Sequence, residues 1–264
     1  MSKLYNHTLG ILRNGQLAIG VGLRQARTVD IAKAMRTAGF DWLFIDMEHN
    51  SMSLDTAVQI SVAAQDAGIT PIVRVPGKEP YHATRALDGG AQGIIVPHVD
   101  TPEEAMAIVK HCRYPPMGHR SVTGAFPQLG FKSVSIKEAT EIINRETVII
   151  AMIESPLGVE NSKAIAGISG IDGLLIGTND LSMEMNIPGD LGHPDIDAAY
   201  RRVVEAANHH GKFSGMGGVY TPDLMARYIE LGVRLILAGN DLGFLLQKAS
   251  QQALDVRSML KTVV

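Results

Sequence analysis

Asp46, His49, Arg74, Glu154 and Asp180 share one setting: each sits within or just after a short apolar run. The runs are Phe44-Ile45-Asp46-Met47-Glu48-His49, Pro71-Ile72-Val73-Arg74-Val75-Pro76, Ile149-Ile150-Ala151-Met152-Ile153-Glu154-Ser155 and Leu175-Ile176-Gly177-Thr178-Asn179-Asp180-Leu181-Ser182. A carboxylate that closes an apolar strand is costly to bury unless it is paired or binds a cation. Glu154 and Asp180, at the same end of adjacent strands, suit a hard oxygen-seeking ion such as Mg2+ or Mn2+. They leave positions for water and a bidentate substrate. Helix capping or a lysine partner explains any one strand-end acid about as well. It explains the whole set on one rim much less well.

An aspartate beside a histidine can fix its tautomer and raise its basicity, which makes Asp46 and His49 a candidate general base. Glu48 could also be the acid of this turn, and an isolated Asp-x-x-His is ordinarily just a hydrogen-bonded turn. Arg74 is harder to explain away. A buried guanidinium needs an anion, and a carboxylate or developing enolate would supply it. Gly215-Met216-Gly217-Gly218 and Ala238-Gly239-Asn240-Asp241 stand where barrels often bind phosphate, although neither is a P-loop. His209-His210 reads as a helix-end pair. His98, His111 and His119 have no assignment, and the methionines read as core filler.

Strands must present these groups. Apolar runs at residues 17–23, 42–48, 71–75, 93–98, 148–153, 173–177, 212–216 and 235–238 read as strands, and several are apolar almost throughout, as parallel strands covered on both faces should be. Helical periodicity between them covers 28–38, 54–67, 80–88, 102–112, 197–210 and 222–231, often closed by glycine. Eight such alternations without a linker predict an α/β fold, a single-domain (β/α)8 TIM barrel over residues 1–264, with its chemistry at the C-terminal ends of the strands. Residues 113–131, rich in Pro, Gly and aromatics, are too long for an ordinary connection and read as a functional loop over that face. The tail after Leu242 reads as a final amphipathic helix.

Composition limits the partners. The chain has 264 residues, 45% hydrophobic, with a formal net charge of -3. That mild acidity argues against nucleic acid or an anionic membrane as the main partner. Residues 1–16 lack the pattern of a signal peptide, and no run is long enough to span a bilayer. Cys112 is the lone cysteine, so neither an internal disulfide nor a cysteine zinc cluster can form. A cytoplasmic protein is the expectation.

The segments 40–49, 71–76, 90–105, 113–121, 153–161 and 170–182 resemble, in order, the HpcH/HpaI family of class II pyruvate aldolases. Glu-Ser-Pro-Leu-Gly-Val-Glu-Asn and Gly-Ile-Asp-Gly-Leu-Leu-Ile-Gly-Thr-Asn-Asp-Leu-Ser carry the likeness most strongly. The resemblance implies metal-dependent retro-aldol cleavage of a 4-hydroxy-2-oxo acid to pyruvate and an aldehyde, with Mg2+, Mn2+ or Co2+ on Glu154 and Asp180. It implies His49, oriented by Asp46, as base and Arg74 as the group that binds the pyruvyl oxygen. Backbone at Thr178-Asn179, leading into Asp180, would bind the substrate carboxylate. Asp88 would serve a neighbouring subunit's site in a homohexamer, a trimer of dimers, whose last helix is exchanged between subunits. Met152 stands where relatives often have Gln, and Gly217 and Gly218 where they have bulkier groups. With Val122, in a loop close to but not the same as the family's, these residues mark specificity. A citrate lyase β-subunit or malyl-CoA type lyase, and a non-catalytic oxo-acid-binding barrel, are the rival readings. A Schiff-base mechanism would need a strand-end lysine, and Lys212 is at the wrong end of its strand.

Overall fold

The computed structural model describes residues 5–260. Eight parallel strands close into a barrel in chain order: β1 (Ala18–Leu23), β2 (Trp42–Asp46), β3 (Thr70–Arg74), β4 (Gly93–Val96), β5 (Val148–Ile153), β6 (Gly173–Gly177), β7 (Phe213–Gly217) and β8 (Leu235–Asn240). The helices are α1 (His7–Arg13), α2 (Ile31–Thr37), α3 (Leu54–Ala67), α4 (Pro80–Asp88), α5 (Pro102–Cys112) and α6 (Ile136–Glu146). They continue with α7 (Pro156–Ala166), α8 (Thr178–Glu184), α9 (Pro194–His209), α10 (Pro222–Leu231) and α11 (Asp241–Met259). The chain therefore forms the (β/α)8 barrel that the alternation predicts. The signal-peptide reading of the opening segment rests partly on residues 1–4, outside those described. Among the described residues no helix is long and apolar enough to cross a membrane.

Strand alternation sets the positions of the functional groups. Trp42, Phe44, Ile72, Ile95, Val148, Ile150, Met152, Leu175, Leu235 and Leu237 pack together inside the barrel. Their neighbours, such as Leu43, Ile45, Val73, Ile94, Ile149, Ala151 and Ile176, pack outward against the helices. Continuing the inward parity one step beyond Phe44, Ile72 and Met152 gives Asp46, Arg74 and Glu154. The barrel's apolar filling thus ends in a polar layer at one mouth. Gly20 has a packing reason of its own, since a Cβ there would collide with the Trp42 ring.

Helix α1, which the periodicity did not predict, places Leu9 and Leu12 against this interior cluster. Its N-cap is Asn6, which accepts from Leu9 N–H and donates to the carbonyls of Gln92 and Glu146 just before β4 and β5. It therefore plugs the end opposite the polar layer.

The 113–131 segment also lies at that opposite end and not over the functional mouth. It follows the C-terminus of α5, and a helix of this barrel ends where the next strand begins. Its contacts agree. Arg113 donates to the carbonyls of Thr147 and Gly170 and to Asp172, all preceding β5 or β6. Gln128 donates to the carbonyls of Leu87 and Ala91, ahead of β4. Tyr114, Phe126, Leu129, Ala139, Ile142 and Ile143 give the segment a small core with α6.

Helix α11 forms where the tail predicts one, but none of its residues is buried. Leu245, Leu254 and Met259 are each 62% exposed. Asn240 caps it by accepting from Gly243 N–H.

Candidate active site

Residues Asp46 and Arg74 are register partners across β2 and β3, both facing inward. That places them as a bidentate pair: Arg74 Nε donates to Asp46 Oδ1 at 3.0 Å and Nη2 to Oδ2 at 2.8 Å. Nη1 lies 2.9 Å from Glu48 Oε2, and the guanidinium covers the Phe44 ring at 5.0 Å. The anion that a buried Arg74 requires is therefore Asp46 itself. Burial alone would raise the Asp46 carboxyl, but the Arg74 hydrogen bond and charge outweigh it and hold the group below the usual carboxylate range.

The contacts of Asp46 differ from the dyad that the resemblance implies. Its Oδ1 accepts the backbone N–H of Glu48 and of His49, so it shapes the turn, and no bond from Asp46 to the His49 ring is formed among the described residues. The carboxylate beside the His49 ring is Glu48, 3.8 Å from Nε2. The physical reason is reach. An acid that is the last inward residue of a strand points at its register partner, whereas His49 lies three residues on in the turn.

Glu154 is 1% exposed, one residue beyond β5. Its Oε2 accepts the backbone N–H of His98 at 2.8 Å and lies 3.5 Å from His98 Nδ1, while Oε1 is buried without a hydrogen-bond partner. Burial pushes this carboxyl up to about 7; the His98 N–H and ring oppose the rise, and the charges of Asp180 and Glu48 add to it. Asp180, in the first turn of α8, is half-buried. Gly177 between them is required sterically: a Cβ would lie 2.5 Å from Glu154 Oε1 and 2.7 Å from Met152 Cε.

Such a site fits a divalent cation. An orphaned carboxylate oxygen beside a second carboxylate is the arrangement that a cation would satisfy, and its charge would remove the cause of the raised Glu154 pKa. Among the described residues no group of three or more His, Cys, Asp or Glu side chains could hold an ion. Glu154 and Asp180 would give an ion two carboxylates, with its remaining ligands from water and substrate, as Mg2+ commonly has.

Around this centre the mouth is lined by His49, Met152, Leu175, Gly177, Thr178, Asn179, Gly217, Gly218 and Leu237. Thr178's hydroxyl bonds the Gly217 carbonyl and Tyr200, which stacks on Tyr228 at 3.6 Å, so only the Thr178 backbone can serve a ligand. Val122 and Asp88 lie elsewhere. Val122 belongs to the 113–131 segment at the far end, and Asp88, at the end of α4, pairs with Arg120 at 2.5 Å. Two residues without a firm assignment in the sequence do belong here, Glu48 and His98. His98 adopts a left-handed backbone, φ 52°, uncommon for a non-glycine residue and found where a site over-determines it. It followed the fourth apolar run, so the strand-end rule that found Glu154 could have found it. Arg24 and Tyr220 also line the mouth, and Arg24, which directly follows the run 17–23, could have been found by the same rule.

The sequence pattern of the HpcH/HpaI aldolase/citrate lyase family matches residues 24–247, which include Asp46, His49, Arg74, Glu154 and Asp180. The chain belongs to that family. Among HpcH/HpaI relatives, a 4-hydroxy-4-methyl-2-oxoglutarate aldolase of Chaetomium globosum is 36% identical over 249 residues, 93% of each chain. A 5-keto-4-deoxy-D-glucarate aldolase of Escherichia coli is 36% identical over 218 residues, 83% of this chain and 84% of that one. The crystal structure of an HpcH/HpaI aldolase from Desulfitobacterium hafniense superposes with a TM-score of 0.89 at 28% identity, covering 94% of this chain and 96% of that one. The relatives so named are aldolases, that is, carbon–carbon lyases.

Proposed function

We propose that this protein is a class II pyruvate aldolase that reversibly cleaves a 4-hydroxy-2-oxo acid to pyruvate and an aldehyde. The observation that carries the reading is Glu154, buried with one unpartnered oxygen and within electrostatic reach of Asp180 and of the Arg74 guanidinium. Glu154 and Asp180 would hold a divalent cation, Mg2+, Mn2+ or Co2+, whose chemistry there is that of a Lewis acid toward the 2-oxo group. His49, with Glu48 beside its ring, takes the proton from the substrate's 4-hydroxyl. The C3–C4 bond then breaks, the aldehyde departs, and its electron pair remains as pyruvate enolate. Arg74 has five N–H donors; two go to Asp46 and one side of Nη1 faces Glu48, which leaves one hydrogen each on Nη1 and Nη2 for the enolate oxygen. The backbone N–H groups of Thr178 and Asn179 take the substrate carboxylate. Met152, Leu175 and Leu237 form the apolar wall that keeps water from the enolate. A proton delivered to C3 releases pyruvate.

Assembly belongs to the same proposal. An α11 with no buried residue needs a cover, and exchange of this helix between subunits of a homohexamer supplies one. Asp88 and Val122, remote from their own mouth, are then available to a neighbour's. The single buried thiol, Cys112, suits the reducing cytoplasm.

A coenzyme A lyase would need a basic surface for phosphates, yet the cations lining the mouth are Arg24 and Arg74, the latter already paired. A non-catalytic barrel would have no use for a base, an anion holder and a cation site together. The test is to treat the protein with a chelator, dialyse it, and follow pyruvate release from 4-hydroxy-4-methyl-2-oxoglutarate with a coupled dehydrogenase. Activity should disappear and return with Mg2+, Mn2+ or Co2+. A rate unchanged by chelation overturns the class II assignment.

A further inference from the structure

Opposite Glu154 in the closed strand order, the mouth carries a cation that the chemistry above does not use. β1 faces β5 across an eight-stranded barrel, and Arg24 is the first residue after β1. Its backbone is held firmly. Asp241 accepts N–H bonds from Arg24, Gln25 and Ala26 at 2.7–2.9 Å, and from Leu242, so the turn after β1 is pinned to the start of α11. Those four N–H donors satisfy the Asp241 carboxylate. The Arg24 side chain is exposed, lines the mouth, and forms no ion pair among the described residues.

Tyr220 completes the arrangement. It follows β7, lines the same mouth, and lies within electrostatic reach of both Arg24 and Arg74, with Asn240 as a side-chain partner. Arg24, Tyr220 and Arg74 thus line one continuous mouth that reaches from β3 to the β1–β8 side. Gly22 and Gly217, on the neighbouring strand ends, keep it open. Phe44 and Leu237 add apolar surface to the same mouth.

Resting on the aldolase reading, we propose that Arg24, with Tyr220 lining the mouth beside it, binds a carboxylate carried by the departing aldehyde and so sets the preference for acidic over neutral aldehydes. The planar guanidinium matches a carboxylate bidentately. With the pyruvyl carboxylate at the β6 end and Arg24 at β1, the two acid groups of one substrate would span the mouth. Arg24 acts on specificity, and it touches none of the bonds that change.

The experiment is aldol addition to pyruvate, with Mg2+ or Mn2+ present, using glyoxylate and 4-oxobutanoate against acetaldehyde and butanal. Wild-type protein should prefer each acid to the neutral aldehyde of equal length. Arg24→Gln should lower that preference roughly ten- to a hundredfold, mainly through KM, the size of one charge-assisted hydrogen bond. Arg24→Lys should restore part of it. Equal acid-to-neutral ratios in wild type and Arg24→Gln overturn the inference. So does a larger loss for glyceraldehyde 3-phosphate, relative to glyceraldehyde, than for the carboxylates, which would reassign Arg24 to phosphate. Proton exchange at C3 of pyruvate in D2O reads the donor half alone. Its absence in the wild type removes the aldolase reading and this inference together, whereas exchange with unchanged ratios removes only the inference.

Discussion

Replacing Asp46 by Asn leaves the Arg74 guanidinium buried without its anion. Both side chains are nearly inaccessible, 2% and 5% exposed, and they share two hydrogen bonds of 2.8 and 3.0 Å. Breaking one partner of such a pair costs roughly 3–5 kcal/mol, most of it the penalty on the charge left behind. At about 2–4 °C per kcal/mol for a domain of this size, Tm should fall by roughly 6–20 °C. The melt is followed by circular dichroism at a fixed metal concentration, because a bound ion shifts Tm by itself. Asp46→Asn/Arg74→Met, which removes both charges, should recover at least half of the loss. If Asp46 instead orients the His49 imidazole, Asp46→Asn abolishes turnover while Tm stays within about 2 °C of wild type, near the ordinary spread for neutral substitutions. That result would refute the pairing argument. Acid adds a second readout. The folded Asp46 carboxyl titrates below its unfolded value. Its stabilisation is complete above the unfolded pKa, about 4, and is lost as pH falls through the folded value. Wild-type Tm should therefore drop more steeply below pH 4 than that of the double variant.

Gly177→Ala should displace the Glu154 carboxylate, since the new Cβ would lie 2.5 Å from Oε1 and the backbone φ of −87° itself tolerates alanine. Weaker Mn2+ binding by electron paramagnetic resonance, with an overpacking cost of roughly 1–3 kcal/mol, is expected; unchanged Mn2+ affinity would remove Glu154 as a ligand. Leu245, Val256 and Met259 are exposed and fall on one face of α11 by their spacing of 11 and 14 residues. Leu245→Asp/Val256→Asp should dissociate the assembly in multi-angle light scattering, and a mass equal to that of wild type would show that the face is not an interface.

How far the sequence carried these conclusions depends on whether a feature is local. Strands β5 and β6 and helices α3, α4, α5 and α10 have the bounds that periodicity predicts, because apolar runs, a capping Ser or Thr and a terminal Gly are local signals. Helix α1 was invisible for the opposite reason: seven residues are too few to show a period, and its role is to plug a barrel end that only the closed fold creates. The set Asp46, His49, Arg74, Glu154 and Asp180 was legible as a set because inward strand parity is written in the pattern of large apolar residues. Pairing within the set was not. Whether Asp46 faces Arg74 or His49 depends on the stagger of β2 against β3, a tertiary quantity that no spacing along one strand reports.

The 113–131 segment shows where length misleads and order does not. Its composition suggests a lid, and an unusually long loop is often functional. Yet in a (β/α)8 chain each connection belongs to one of two ends: those that leave a strand lie at the mouth, and those that leave a helix lie at the base. This segment leaves α5, so its end of the barrel follows from the order of elements alone. Asp88 obeys the same parity at the end of α4, and the Arg120–Asp88 pair joins the two features at the base. Any part they take in catalysis must therefore be played at another subunit's mouth. Arg24, His98 and Tyr220, which each leave a strand, are the residues this chain has available for its own.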